Sequence, residues 1–194
     1  MLDVRRLSRP QVVGALPELA QLRIDVFRDF PYLYVGDAEY EEAYLAPYAD
    51  SDDAVIIGAY DGQSLVGAAT GMPLLMHDDN FAAAFAEKDY DLSQVFYCAE
   101  SVLRPAYRGR GVGHAFFDHR EAAAREMGCT FSTFCAVLRA EDHPARPAGY
   151  RSLEPFWLTR GYRLLPGIEA KFEWKDEGDQ VQTAKRMQFW GRPI

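Results

Sequence analysis

Cysteine is scarce: Cys98, Cys129 and Cys135 are the only three in 194 residues, and no two stand in C-x-x-C spacing. An odd, widely spaced set offers neither a disulfide framework nor a zinc module, so a reducing compartment, the cytoplasm, is expected. Long apolar runs are missing too. No stretch of about eighteen apolar residues occurs, and the opening M-L-D-V-R-R-L-S has no apolar signal core, which predicts a soluble protein with no membrane partner. Positive charge is in deficit, with 21 Lys and Arg against 29 Asp and Glu, a net charge of −8. That balance argues against nucleic acid, whose phosphates call for the opposite sign, and suits a cationic small molecule. No Ser/Gly-rich linker, charge block or repeat divides the sequence, so residues 1–194 are expected to form one domain.

What is present is a succession of periodic segments. Val12, Leu16, Leu19, Val26 and Phe30 recur near a period of 3.6, predicting a helix over residues 10–29 that Pro31 ends. A second helix is expected over 37–45. Residues 54–60 and 64–70 are β-rich and flank Asp61-Gly62, a pair suited to a tight hairpin turn. Residues 81–88 have helical composition, and 95–103 read as a buried strand. A helix over 111–127 follows, with Gly128 in the place of a left-handed cap. Residues 130–137 are the next strand, parallel to 95–103 if the helix between them is a crossover. Beyond a polar loop with Pro144 and Pro147, Ser152 caps a short helix ending at Gly161, and 170–175 with 185–190 make a terminal hairpin. The sum is an α/β fold: a mixed, mostly antiparallel sheet flanked by helices, with one parallel strand pair inside.

The segment R-G-R-G-V-G-H, residues 108–114, lies between the strand 95–103 and the helix 111–127. Gly109, Gly111 and Gly113 remove side chains and permit positive backbone angles, so consecutive N–H groups can turn toward an anion at the positive end of the helix. Arg104, Arg108 and Arg110 add positive potential in an otherwise acidic chain. Phosphate is the natural guest. A nucleotide-hydrolysing loop is excluded, because G-x-x-x-x-G-K-S/T occurs nowhere. A dinucleotide fingerprint would need Gly or Ala where His114 stands, and an acid about twenty residues on, where residues 129–135 offer none.

What remains, Arg108-x-x-Gly111-x-Gly113, matches Q/R-x-x-G-x-G/A and resembles the signature of the GNAT acyltransferase superfamily. The likeness extends to the early helices, the hairpin, the crossover and the terminal helix with its Arg160-Gly161-Tyr162 ending. Within that superfamily the chain resembles bacterial members with a Phe-Pro-Tyr-Leu-Tyr segment near the start and Met-Gln-Phe-Trp near the end, here residues 30–34 and 187–190. The resemblance implies acetyl-CoA as cofactor, its pyrophosphate on Arg108, Gly109, Arg110, Gly111, Val112, Gly113 and His114. It also implies a pantetheine arm paired like a strand with Val102, Leu103 and Arg104, and two central strands that splay beyond a bulge. The reaction implied is acetyl transfer to the primary amine of a small molecule.

Amine acylation needs an unprotonated nitrogen, a stabilised oxyanion and a proton for the departing thiolate. Glu100, a carboxylate in an apolar strand, is the expected base, burial being expected to raise its affinity for a proton. A structural carboxylate paired with an arginine or tyrosine is the competing reading. GNAT proteins often carry N-x-x-A-x-x-L-Y-x-x-x-G-F/Y near the end, whose tyrosine serves as acid. Here Tyr150 stands at the Asn position and Trp157 at the Tyr position. An indole cannot protonate a thiolate at a useful pH, so Tyr150 or water is expected to serve. Phe27, Phe30, Tyr32 and Tyr34 form an aromatic group at the junction of the first two helices, where an amine acceptor would lie, with Cys135 and His143 as further contacts. Cys135 also reads as an inert core cysteine. His77, Asp78 and Asp79 read as a solvated loop, and no metal is expected. Trp157 also leaves open a non-catalytic acyl-CoA-binding module. A dinucleotide-dependent oxidoreductase is the remaining alternative, and exposed terminal strands are compatible with a homodimer.

Overall fold

The computed structural model describes residues 2–77 and 79–194; Asp78 of the acidic loop lies outside the described residues. Helix α1 (Arg9–Phe27) opens with a Ser8/Gln11 capping box and buries Val12, Ala15, Leu19, Leu22 and Arg23. Asp37 caps α2 (Ala38–Asp50), its carboxylate accepting from the Tyr40 amide at 3.0 Å. This helix runs past the expected end at Leu45, because Tyr48 and Ala49 are buried and anchor a last turn that contains Pro47.

Seven strands make one sheet: β1 (Asp3–Arg6), β2 (Val55–Asp61), β3 (Ser64–Pro73), β4 (Val95–Leu103), β5 (Phe131–Val137), β6 (Arg163–Trp174) and β7 (Thr183–Pro193). Their order is β1-β2-β3-β4-β5-β7-β6, antiparallel throughout except for β4 and β5. The short α3 (Asp79–Ala83) stops well before the expected Lys88, and the chain continues in single turns. Helix α4 (Val112–Glu126) joins the parallel pair, and Gly128 follows it at φ 80°. Helix α5 (Glu154–Thr159) starts where Ser152 Oγ accepts from the Glu154 amide at 3.1 Å.

Two stretches of strand escape sequence reading. β1 is four mostly exposed residues, D-V-R-R, with no apolar alternation. β6 begins seven residues before Ala170, and its pairing with β7 is irregular between Leu164 and Glu169, where Pro166 and Gly167 (φ 72°) break the period.

The sheet separates two layers. On one face α4 and α5 pack Val112, Phe116, Phe117 and Phe156 against Ile57, Phe96, Phe134 and Trp190. On the other, α1 and α2 pack Leu19, Leu22, Leu45 and Tyr48 against Ile56, Ala68, Met72 and Val102. A third cluster, built on Tyr97, Cys135, Trp174 and Phe189, continues that face under β5, β7 and β6.

Two irregularities in the middle of the sheet shape the site. β4 and β5 pair only through Val95–Phe131, Phe96–Ser132 and Tyr97–Thr133, then part, although both strands continue. Along its other edge, β4 bulges: Ala69 faces Ser101 and Gly71 faces Cys98, so Ala99 and Glu100 together oppose Thr70. The bulge bends β4 away from β5, and beyond Tyr97 the backbone edge of β4 facing β5 has no strand partner among the described residues.

Candidate functional site

The glycine turn is open in the manner an anion cradle requires. Gly109 and Gly111 have φ of 75° and 81°, and a Cβ built on either would meet nothing within 4 Å. Gly111 is the N-cap of α4, with no side-chain cap, and the first intrahelical bond at this end is Ala115 N–H to Gly111 O at 3.1 Å. The amides of Val112, Gly113 and His114 therefore face outward with no acceptor in the helix. Gly113 has another use. Its missing side chain leaves room for Phe156 of α5, whose ring carbon would stand 3.3 Å from a Cβ, and the His114 ring meets the same phenyl at 4.9 Å.

The basic residues divide. Arg104 is paired with Asp25 at 3.0 Å, whereas Arg108 reaches Leu103 O at 3.4 Å and Arg110 lies over Tyr107 at 5.3 Å, neither in an ion pair among the described residues. Among the residues expected along pantetheine, the Arg104 amide already donates to Val66 O at 2.9 Å. Ladder alternation turns Val102 to β3 as well, opposite Ala68, so of the three Leu103 is the residue whose backbone groups face β5 and are left for a partner. An open glycine cradle and an unpaired strand edge fit a ligand with a pyrophosphate and an amide-bearing arm.

Glu100 sits on the bulge as the centre of a buried polar group. Arg23 Nη1 is 2.5 Å from its Oε1, Tyr44 Oη donates to the same oxygen at 2.6 Å, and Thr70 Oγ1 donates to Oε2. Arg23 is shared with Glu41 of α2, which is wholly buried. Beneath the bulge lies Arg120 of α4, 1% exposed, donating to Thr70 O at 3.2 Å, Glu100 O at 2.9 Å and Ser101 Oγ at 2.9 Å. It satisfies the carbonyls that the bulge releases from the ladder.

This arrangement corrects the expectation for Glu100. Burial does act to raise its pKa, but the Arg23 charge and the hydrogen bonds from Thr70 and Tyr44 outweigh it, and the net shift is downward. Glu100 is thus an ionised carboxylate paired with an arginine and a tyrosine, and it keeps one edge toward the cleft, at 11% exposure. Arg23 is likewise opposed by burial, yet Glu100, Tyr44 and Glu41 raise its pKa and keep it charged.

On the facing strand, Cys135 Sγ lies 3.1 Å from Tyr97 Oη, and burial pushes the thiol up to about 12, so it is inert. Tyr32 stacks between Phe27 at 4.6 Å and Trp174 at 6.0 Å. Tyr34 forms a bridge with Asp176, and burial first, Glu41 second, raise its pKa. Phe30 is flanked by His143 at 5.8 Å and by the edge of Tyr150 at 4.7 Å. Tyr150 is thereby packed edge-on to Phe30, and Arg146 covers its ring at 5.3 Å. Trp157 is packed between Phe134 at 5.0 Å and Trp190 at 5.3 Å, half-buried against the core under α5.

A strand that parts from its parallel neighbour beside an uncapped glycine turn is the geometry implied by the resemblance. The model of the acetyltransferase (GNAT) family matches residues 18–149, more than half the chain. The protein belongs to the GNAT acetyltransferase family. This overturns the dinucleotide-dependent oxidoreductase, already disfavoured by His114. Solved GNAT structures share the fold across nearly all of both chains. Ribosomal-protein-alanine N-acetyltransferase from Brucella melitensis aligns over 99% of each chain at 13% identity and a TM-score of 0.62. The yncA protein of Salmonella typhimurium, solved with its cofactor acetyl-CoA, covers 99% of this chain and 93% of its own at 10% identity and a TM-score of 0.60. A GCN5-related N-acetyltransferase from Kribbella flavida covers 100% and 98% at 17% identity and a TM-score of 0.58. No curated protein matches the sequence significantly.

Sequence reading missed Arg23, Glu41 and Arg120. Each lies on the buried stripe of its helix, beside Leu19 and Leu22, Leu45 and Tyr48, or Phe116 and Ala124. A charge within an apolar stripe is the available signal.

Proposed function

We propose that the protein, acting as one domain over residues 1–194, transfers an acetyl group from acetyl-CoA to the primary amine of a small molecule. The observation that carries this is the unpaired length of β4, which begins at the bulge bearing Glu100 and leads to the open cradle at Gly111. Acetyl-CoA when bound would supply an acyl group already activated as a thioester. The amides of residues 108–114, with Arg108 and Arg110, would hold the pyrophosphate, and the edge of β4 at Leu103 would pair with the arm.

The ionised Glu100 lies in a buried polar group beside the aromatic rings of Phe27 and Tyr44, with Tyr32 packed on Phe27. An amine is the acceptor such a site attracts. Because Glu100 is ionised and its oxygens already accept hydrogen bonds, it would take the amine proton through a water at its exposed edge. His143 and Tyr150 would serve as acceptor contacts. Three free, buried cysteines support a cytoplasmic location, and the outer edge of β6 would serve as a surface for a homodimer.

The test is release of free thiol from acetyl-CoA across a panel of amines, amino acids, polyamines and amino sugars, with acetyl-CoA binding followed by calorimetry. Absence of binding would falsify the cofactor assignment. Binding without thiol release on any amine would favour the second reading, an acyl-CoA-binding module, which the packing of Trp157 supports.

A further inference from the structure

Arg120 of α4 is 1% exposed and enters no ion pair among the described residues. Its guanidinium lies over the Phe117 ring at 4.8 Å, and its Nε is buried without a hydrogen-bond partner among the described residues. Its bonds run to the bulge: Nη1 donates to Thr70 O at 3.2 Å and to Glu100 O at 2.9 Å, and Nη2 donates to Ser101 Oγ at 2.9 Å. A neutral amide side chain would satisfy the same acceptors. Taking a cation out of water with no carboxylate beside it is unfavourable, so the charge has a use beyond closing the ladder.

The direction of one peptide supplies that use. Glu100 N–H donates to Thr70 Oγ1 at 3.2 Å and Glu100 O accepts from Arg120, so both backbone groups of Glu100 lie on the β3 side. Val102 faces the same way, opposite Ala68. A strand turns alternate residues to opposite edges, so Ser101 presents its N–H to the gap where β4 and β5 have parted. A trans peptide sets its C=O and N–H on opposite sides. Arg120 thus grips the carbonyl end of the Glu100–Ser101 peptide, while the N–H end of the same peptide opens to the gap. A cation on the carbonyl draws electron density toward the oxygen and leaves the N–H a stronger donor. Ser101 is exposed, so a ligand in the gap can reach it. Helix α4 also begins at the glycine cradle, and about 13 Å of helix separates Gly111 from Arg120. One rigid element therefore fixes both the anion site and the clamped peptide.

We propose that Arg120 is a positioning residue for acyl transfer: it fixes the Glu100–Ser101 peptide and, through its charge, strengthens the Ser101 N–H as the hydrogen-bond donor to the thioester oxygen. The inference rests on the acetyl-transfer reading. When the amine nitrogen forms the new N–C bond, the carbonyl electron pair moves onto that oxygen, and the Ser101 N–H stabilises the negative charge arriving there. As the carbonyl re-forms, the C–S bond breaks with its electron pair passing to sulfur, and the proton shed by the nitrogen completes the thiol. No further reactant is consumed.

The experiment uses acetyl-CoA isotope-labelled at the acetyl carbonyl and bound without an amine. Its C=O stretch is read by isotope-edited infrared difference spectroscopy, and its affinity by calorimetry. A stronger donor lowers the stretch. Arg120→Gln, which keeps an amide donor but removes the charge, is expected to move the band to higher frequency. Arg120→Lys, which keeps the charge, should leave the band between the two. Acetyl-CoA affinity should stay within about threefold, and kcat on an amine found in the thiol-release panel should fall about tenfold in Arg120→Gln with little change in KM. In unaltered protein carrying isotope-labelled serine, the Ser101 amide proton should move downfield in the magnetic resonance spectrum when acetyl-CoA replaces coenzyme A.

An unmoved band in folded Arg120→Gln, with acetyl-CoA bound, overturns the proposal and leaves Arg120 as a prop for the bulge. A Ser101 amide that does not distinguish acetyl-CoA from coenzyme A overturns it too, and that measurement needs no variant. If Arg120→Gln does not fold, the lysine variant and the Ser101 amide decide. Failure of the unaltered protein to bind acetyl-CoA is a different result: it strikes the proposed function, and the inference falls with it.

Discussion

Arg23 Nη1 and Glu100 Oε1 lie 2.5 Å apart, and the same guanidinium serves Glu41, so one cation from α1 holds carboxylates from α2 and β4 together inside the protein. Removing it would leave two buried carboxylates without their counter-charge. Arg23→Met is expected to cost about 3–5 kcal/mol of stability. Urea unfolding measures this, and a loss below about 1 kcal/mol, the range of a surface pair, would contradict the description of Arg23 as shared and buried.

The same pair sets the acid limb of stability. The Glu100 pKa is lowered in the folded state, so its contribution is complete above the ordinary carboxylate value and is lost as pH falls through the folded value. Glu100→Gln should therefore flatten the fall in melting temperature below about pH 4.3 while slowing turnover and sparing coenzyme A binding. Unchanged turnover would remove Glu100 from the chemistry.

Gly111 and Gly128 bracket α4 with nearly equal angles, φ 81° and 80°, and free space where a Cβ would stand. Alanine at either should cost about 1–2 kcal/mol of strain. Only at Gly111 would the methyl enter the cradle, so Gly111→Ala is expected to weaken coenzyme A at least about tenfold, and Gly128→Ala to leave affinity unchanged. Equal affinities would place the pyrophosphate elsewhere.

Tyr32, Tyr34, Tyr44, Tyr48, Tyr97 and Tyr162 all have raised pKa values, with burial as the leading cause. A raised pKa means the folded state keeps protons the unfolded chain sheds, so their stabilisation is present below about pH 10 and lost above it. Alkaline unfolding should begin near that pH, with phenolate absorbance from these rings appearing together with the loss of structure. A smooth early titration of every tyrosine in folded protein would show the cleft to be wetter than described.

All three thiols are buried, and burial raises each pKa. Native protein should therefore react with a thiol reagent only on the timescale of unfolding. The thiol-release assay would then have a flat baseline. A fast-reacting cysteine, mapped to Cys135, would mean that β5 opens toward solvent.

How far the sequence carries is set by what each feature depends on. The hairpin at Gly62, the strand Val95–Leu103, the cap at Gly128 and the turn at Gly111 depend on local backbone preference, and all were legible. β1 was not, because four exposed residues acquire strand form only from the edge of β2. Within the site, the position of Glu100 could be read but its protonation could not. Arg23 is 77 residues away, and desolvation alone points in the opposite direction from the pair. The role of Arg120 was invisible for a similar reason, since its value lies in bonds to the backbone of residues 70 and 100.

The sheet is best thought of as two plates, β1 to β4 and β5 with β7 and β6, riveted at one end by the three pairs from Val95–Phe131 to Tyr97–Thr133. Past the rivets each plate keeps its own ladder, and the wedge between them is a missing strand. A coenzyme arm laid along β4 would then be masonry as much as cargo, filling the joint while it delivers its load. Each turnover would remove that filling and restore it, so the stiffness of the whole sheet would rise and fall with the state of the reaction.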